Sequence, residues 1–464
     1  MSGFALRGSA PARTPSAAGT PLRDPDPLDE RTMTRRAVWL TVLHLLIPGS
    51  AQAIAGNRRL GRLALGLWLA GAVALIAAAV LWLVLPQLLL TLPTNAVGLT
   101  IIQLLLGAWA VWWLVLTVDT LRLLRLVRIA PIARGVLAGV LALALVLGLG
   151  GAGWSAWAAG VARSTIGSVF GSGRYALPAD GRYNIMLLGG DAGKDRLGNR
   201  PDSVSVVSVD ALTGDMVTFG LPRNLDPIPF SAGSPMLKQY PDGYGAHGRC
   251  NVDVCQLNSI YTEVQLKSPQ LYPDAVAQHS SPGIEATRDA VEGALGIPIQ
   301  YYVLVDMGSF EDLINALGGV TIDVKQRLPI GGGVDANGTP TGVKVWIEPG
   351  VQHLNGNRAL WYARSRHGVG NSDYARMQRQ RELQQAILKQ VNPLTVLTRF
   401  ERVAKAGSKT VDTDIPQGLL GEFAGLAVKT RGQKSTTIEF VPPEYDPAKP
   451  DYTRIHAVVR KALS

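Results

Sequence analysis

The chain has 464 residues, a hydrophobic content of 47% and a formal net charge of +10, enough length for two or three domains. Residues 1–134 hold thirteen Lys/Arg and five Asp/Glu, which leaves 32 against 30 for all that follows. Most of the basic excess therefore belongs to the N-terminal part. The near balance elsewhere, with no recognition-helix motif, argues against a nucleic-acid partner.

Residues 1–36 are polar and Pro-rich at their start and read as a disordered cytoplasmic tail. No cleavable signal peptide is expected, because the first apolar run begins too far in. Residues 37–160 read as a membrane region. No charged residue occurs between Leu63 and Val118, or between Gly135 and Val161. Runs of this length suit about three transmembrane helices, near 63–86, 98–118 and 136–158. Arg58, Arg59 and Arg62 form one basic cluster, and Arg122, Arg125, Arg128 and Arg134 another. The positive-inside rule puts both in the cytoplasm and everything after about Ala159 outside. The segment 37–56 is apolar but broken by Pro48-Gly49 and flanked by basic pairs at both ends. It reads as a re-entrant or interfacial piece, since a fourth crossing would turn the C-terminal domain inward.

Residues 161–182, rich in Gly, Ser and Ala, read as a linker or short helix, and 183–464 as the extracytoplasmic domain. Ile185–Leu188, Val204–Val209 and Met216–Leu221 read as strands, with Asp210–Asp215 as a turn between the last two. A hairpin about that turn pairs positions whose numbers sum to 425, so Asp202 faces Arg223. Asp191 leaves the first strand, and Arg200 stands two before Asp202. Two carboxylates and two arginines thus gather at one end of a sheet, as a structural ion-pair group or as a site. Phosphoryl transfer is the chemistry that needs such a mixture, because Mg²⁺ takes one or two carboxylates with phosphate oxygens and Arg forks neutralise developing charge.

Cys250 and Cys255 are the only cysteines. Close together in an oxidising compartment, they favour a disulfide over a metal site, which lacks further ligands nearby. Helical spacing marks Gly283–Leu295 and Gly308–Leu317, and Tyr301–Val305 and Val320–Val324 read as strands. The fold class is α/β: a mixed sheet packed between helices, preceded by a helical transmembrane region. Residues 325–350 are Gly/Pro-rich loops and short hairpins, and a last helix begins near Tyr452.

The stretch 354–388 gathers Arg364, Arg366, Arg376, Arg379 and Arg381. Arg364 and Arg366, at i and i+2 of an extended segment, would point the same way. From Asp373 the pattern is helical. Asp373, Arg376, Gln380, Leu383, Ile387 and Val391 fall on a core-directed face, while Tyr374, Gln378, Arg381, Glu382, Gln385 and Lys389 face water. A cluster of guanidiniums in this position suits bidentate phosphate binding, unless the first helical turn frays into solvent.

Five blocks, NIMLLGGD with RPDSVSVVSVD, GLPRN, QLNSIY, YVLVDMGSFEDLINALGGVTIDV and LNGNRALWYARSR…SDYARMQRQRELQQAI, together resemble the LytR–CpsA–Psr family of cell-envelope phosphotransferases. The resemblance covers most of 183–395, and the multi-span anchor and composition are similar to actinobacterial members. It implies transfer of a glycan polymer from a polyprenyl-pyrophosphate carrier onto peptidoglycan through a phosphodiester, assisted by Mg²⁺ (or Mn²⁺). Position by position, Asp191 and Asp202 correspond to the metal-side carboxylates. Arg200, Arg223, Arg364, Arg366, Arg376 and Gln380 correspond to the pyrophosphate-binding set. Asp191, Asp202, Arg223, Arg364 and Arg366 are the residues expected to carry catalysis. Two positions depart from the family: Gln256 stands where a basic residue is usual, and Pro201 where a small polar one is common. Hydrolysis of the polyprenyl pyrophosphate at the same site, and a non-enzymatic regulatory role in the membrane, are the competing functions.

Overall fold

The computed structural model describes residues 22–23, 25–26, 28–84, 92–93, 95–170, 175–190, 201–334, 340–365, 372–390, 411–430, 433 and 435–464. Two compact units emerge, Met1–Val84 with Ile101–Trp157, and Leu85–Thr100 with Ala158–Ser464.

The first unit is helical. It comprises α1 (Glu30–Leu46), α2 (Ser50–Ala55), α3 (Arg58–Val84) and the greater parts of α4 (Ala96–Leu124) and α5 (Pro131–Val169). Asp29 starts α1 by accepting from the Arg31 N–H at 3.0 Å, the usual role of an N-cap carboxylate. Between α1 and α2 the chain turns at Gly49, whose φ is +100° and whose missing Cβ would collide with Ala64. Only glycine meets both demands without strain. Polar groups inside the unit are matched across helices: His44 Nε2 lies 3.1 Å from Thr117 Oγ1, and Gln52 Nε2 donates to Thr120 Oγ1 at 2.9 Å. Three helices are long and apolar enough to cross a membrane, Arg58–Val84, Ala96–Arg128 and Pro131–Ser164. Residues 37–56 are divided between α1 and α2 and make no such helix.

The second unit begins with β1 (Arg182–Gly190), β2 (Pro201–Asp210) and β3 (Met216–Leu221), followed by α6 (Leu257–Lys267) and α7 (Pro282–Leu295). Next come β4 (Tyr301–Asp306), α8 (Met307–Leu317) and β5 (Val320–Val324). Short hairpin strands follow: β6 (Leu328–Ile330), β7 (Gly333–Val334), β8 (Pro340–Thr341), β9 (Val345–Ile347) and β10 (Gly350–Leu354). The chain then forms α9 (Gly356–Arg364), α10 (Ser372–Gln390), β11 (Val411–Thr413), α11 (Leu420–Thr430), β12 (Ser435–Glu439) and α12 (Tyr452–Leu463).

Six strands make one sheet in the order β11-β4-β1-β2-β3-β12. The β1–β4 and β3–β12 pairs are parallel and the others antiparallel, so the sheet is mixed as the sequence predicts. Alternate residues serve opposite faces. Met186, Leu188, Val204, Val206, Phe219 and Leu221 form a core with Ile260 and Val264 of α6, Ile284 and Val291 of α7, and Ile455 and Val459 of α12. Each such side chain contributes about 1.5–3 kcal/mol through burial. On the other face, Tyr183, Ile185 and Tyr301 pack with Ile415, Leu419 and Leu426. There, nearer the β2–β3–β12 edge, lies α10, whose Gln385 Nε2 donates to Thr437 Oγ1 at 3.0 Å. A third cluster joins Ile314, Val320, Ile322, Val324, Leu354, Ala359, Tyr362 and Leu383. Helix α10 is therefore packed between the main sheet and this smaller layer.

Candidate phosphate-binding site

The β2–β3 hairpin has the expected register, from Val209 opposite Met216 to Val204 opposite Leu221. Two residues further on, Arg223 Nη1 lies 2.5 Å from Asp202 Oδ1, with side chains 21% and 14% exposed. A pair this enclosed is weakly screened. The loop beyond it is held by the start of α6: the Asn258 N–H donates to the Arg223 carbonyl at 3.1 Å, and the Leu257 N–H to the Leu225 carbonyl at 3.2 Å. Otherwise orphan donors of a helix N-terminus thus fix the backbone that carries Arg223. Gln256 is the N-cap residue of α6 and makes no side-chain capping bond.

At the same end of the sheet, Gly190 of β1 stands opposite Asp306 of parallel β4. Asp191 and Arg200 lie outside the described residues. Asp306 is a carboxylate that sequence reasoning passed over. Its signal was a strand that ends in Asp, as the NIMLLGGD strand does, but the juxtaposition depends on a pairing across more than a hundred residues.

The arginine-rich stretch corrects two expectations. Arg364 is the last residue of α9 rather than part of an extended segment, and its side chain is exposed. The i, i+2 argument for aligning it with Arg366 therefore does not apply, and Arg366 lies outside the described residues. Asn355 starts α9 by accepting from the Arg358 N–H at 2.9 Å. Gly356 lets α9 approach α8, since a Cβ there would collide with the Glu311 carbonyl. In α10, Arg376, Gln380 and Leu383 are buried, as the core-directed face requires. Arg381, expected in water, is buried too. Its Nε donates to Glu439 Oε1 at 2.6 Å and its Nη2 lies 3.4 Å from the Val204 carbonyl. The physical reason is the double cover on α10, which leaves little of this part of the helix facing solvent. Gly220 makes room, because a Cβ on it would collide with both Arg381 and Glu439.

Arg379 is buried on the other flank of α10. Burial lowers the pKa of its guanidinium from the ordinary value, against the attraction of the Glu382 carboxylate. Burial, with Glu382 beside it, pushes the Tyr362 hydroxyl up, so the hydroxyl stays protonated and donates to Glu382 Oε2. A small cleft on this flank is lined by Val324, Lys325, Leu328, Tyr362, Arg379 and Glu382, among others. Among the described residues, none of the arginines that the resemblance assigns to pyrophosphate lines it.

Magnesium needs few protein ligands when phosphate oxygens and water complete its shell. Among the described residues no group of three or more His, Cys, Asp or Glu is poised to hold a metal by itself. Asp202 supplies one carboxylate at the sheet end and Asp306 stands at the same end, one strand beyond β1; carboxylates are the donor type that a metal shared with a phosphorylated substrate takes.

Comparison with known proteins finds relatives of this chain. A stretch of TagV from Bacillus subtilis (strain 168), a polyisoprenyl-teichoic acid–peptidoglycan teichoic acid transferase, is 29% identical over 194 residues, 40% of this chain and 48% of that protein. Regulatory protein MsrR from Staphylococcus aureus (strain COL) is 27% identical over 267 residues, 57% of this chain and 65% of its own length. The chain thus spans about half to two thirds of these relatives. The crystal structure of B. subtilis TagV superposes with a TM-score of 0.42 at 23% identity, covering 61% of this chain and 96% of that one. The profile of the LytR_cpsA_psr family matches residues 172–453, and the chain belongs to that family.

Proposed function

We propose that this protein transfers a glycan polymer from a polyprenyl-pyrophosphate carrier to peptidoglycan in cell-wall assembly. In that arrangement the membrane unit crosses the cytoplasmic membrane several times and the catalytic domain lies outside. The observation that supports the reading is the Asp202–Arg223 pair at the sheet end, in a chain whose α9 and α10 also carry Arg364 and Arg376. The TagV relative is named for a reaction of this class, and other relatives carry regulatory names.

In the proposed reaction an acceptor hydroxyl oxygen bonds to the glycan-bearing phosphorus while the bridging P–O bond breaks. Polyprenyl phosphate leaves, and the hydroxyl proton passes to a base. Arg223, Arg364, Arg366 and Arg376, with Arg200 and Gln380, would bind the pyrophosphate, and guanidinium forks suit its paired oxygens. Asp191 and Asp202 would hold Mg²⁺, which when bound neutralises charge on the departing phosphate. Asp202 also pairs with Arg223, and its removal would take away that ion pair.

The test is transfer from a lipid-linked glycan by the purified full-length protein, with and without peptidoglycan. Asp202→Ala and Arg223→Ala are each expected to cut transfer by roughly 10²-fold, the equivalent of about 3 kcal/mol in the transition state. Release of polymer at equal rates without peptidoglycan would favour hydrolysis. Full activity in both variants would sink the site assignment.

A further inference from the structure

We infer that Arg379 is a positioning residue, which acts on the donor site by holding the end of α9 that carries Arg364. The inference rests on the phosphate-site reading above and adds a residue to it.

A helix leaves its last carbonyls without intrahelical donors, so something else must satisfy them. At the end of α9 the Trp361 carbonyl accepts from the Ser365 N–H at 2.9 Å. The next carbonyls are met from α10. Arg379 Nε donates to the Tyr362 carbonyl at 3.2 Å, Gln380 Nε2 to the Ala363 carbonyl at 3.3 Å, and Arg379 Nη2 to the Ser365 carbonyl. Two adjacent residues of α10 therefore cap α9, and the two Arg379 bonds bracket Arg364 on either side. A guanidinium also suits the negative end of a helix.

Arg379 is 5% exposed, and two of its three nitrogens are committed to carbonyls. It is thereby fitted to fix a backbone rather than to seize a ligand. The planar fork matters, because it spans two carbonyls three residues apart; a lysine ammonium, one point on a flexible stem, does not bridge them with the same rigidity. The same contact gives Gln380 a second duty, since its amide nitrogen is turned to α9. Loosening this cap lets the exposed Arg364 side chain wander, and small misplacements of a binding group are costly at a reacting centre.

The experiment uses the full-length protein in detergent micelles with magnesium present, and inorganic pyrophosphate as the probe. Affinity is measured by calorimetry for the unaltered protein, Arg379→Lys, Arg379→Gln, Arg364→Ala and the double variant Arg364→Ala/Arg379→Lys. Circular dichroism identifies which variants are folded. Arg379→Lys is expected to weaken binding about tenfold and Arg364→Ala more, by roughly 10²-fold. The double variant is expected to bind no worse than Arg364→Ala alone, because residues acting through one another are not additive. Arg379→Gln, which keeps a single donor, serves if the lysine variant does not fold. Unchanged affinity in a folded Arg379 variant would make the residue scaffold only. Losses that multiply in the double variant would make Arg379 an independent contact, and either result overturns the inference. Absence of pyrophosphate binding by the unaltered protein would instead remove the phosphate site itself, and the positioning role with it.

Discussion

Arg381 and Glu439 show how a charged residue is tolerated inside this domain. The guanidinium is 6% exposed and its carboxylate partner 26%, and Gly220 supplies the space in which they meet. Taking charges from water is expensive, so an interior pair is held by geometry and becomes a liability once one partner is gone. Arg381→Ala is expected to destabilise the domain by about 3 kcal/mol, the lower end of what a broken buried pair costs, because Glu439 retains some solvent. Replacing both by apolar residues should recover much of that loss. Thermal or denaturant unfolding of the three variants checks it, and a double variant as unstable as the single one would mean that the pair matters for packing alone. Gly220→Ala should resemble the single variant, since a methyl group there displaces the same contact.

At the scale of elements, the segment before α6 is pinned from two sides. Cys250 and Cys255 are joined by a disulfide. Buried Glu263 of α6 accepts from Tyr240 and Tyr244 hydroxyls at 2.5 and 2.8 Å and from the Asn251 N–H at 2.9 Å. A loop this short gives the disulfide about 2 kcal/mol or less. Glu263→Ala removes the acceptor shared by two buried tyrosine hydroxyls, and losing a buried acceptor of this kind costs on the order of 1–3 kcal/mol per donor. It should therefore lower stability more than Cys250→Ser/Cys255→Ser. Comparing their unfolding midpoints decides the order. Helix α7 carries a pH response. Burial raises Asp289 above 3.8 and Glu292 above 4.5, against the hydrogen bonds that favour their charged forms, such as the one to Asp289 from the Tyr272 hydroxyl at 2.6 Å. The folded state then holds protons that the unfolded chain would release. This contribution to stability is complete below the unfolded values and is lost as pH rises through the folded ones. Asp289→Asn cannot titrate, so its melting temperature should gain on the unaltered protein over a pH range that starts near 3.8, the ordinary aspartate value, and extends upward. A constant gap across that range would contradict the assignment.

The whole molecule combines a basic, apolar N-terminal part with a C-terminal part of balanced charge. Arg58 lies at the start of α3, and Arg122, Arg125 and Arg128 lie about the end of α4. The link between these two helices, from residue 85 to 95, has no charge. If the three long helices each cross a membrane, the positive-inside rule predicts that the family domain lies outside. A phosphatase-type reporter fused after Ser464, active only when exported, is expected to be active. A reporter that folds only in the cytoplasm would show instead that residues 37–56 supply a fourth crossing.

Reading the chain without coordinates works where the governing interaction is local. The turn at Asp210–Asp215 sets the register of β2 on β3, and period two then brings Asp202 to Arg223, twenty-one residues apart. Apolar run length marks the three long helices, because a hydrocarbon span admits few charges. Periodicity likewise separates α7, α8, β4 and β5. It tells which residues of a helix share a face, but not how many faces the fold will cover. That is why Arg381 belongs in the interior and why Arg379 turns to cap α9, outcomes decided when the sheet and the β5–β10 layer close on α10 together. Asp306 reaches the end of β1 only through parallel pairing of distant strands. Arg364 belongs to a helix that presses on α8, where Gly356 meets the Glu311 carbonyl. Such contacts are created by packing, and no window of the sequence contains both partners.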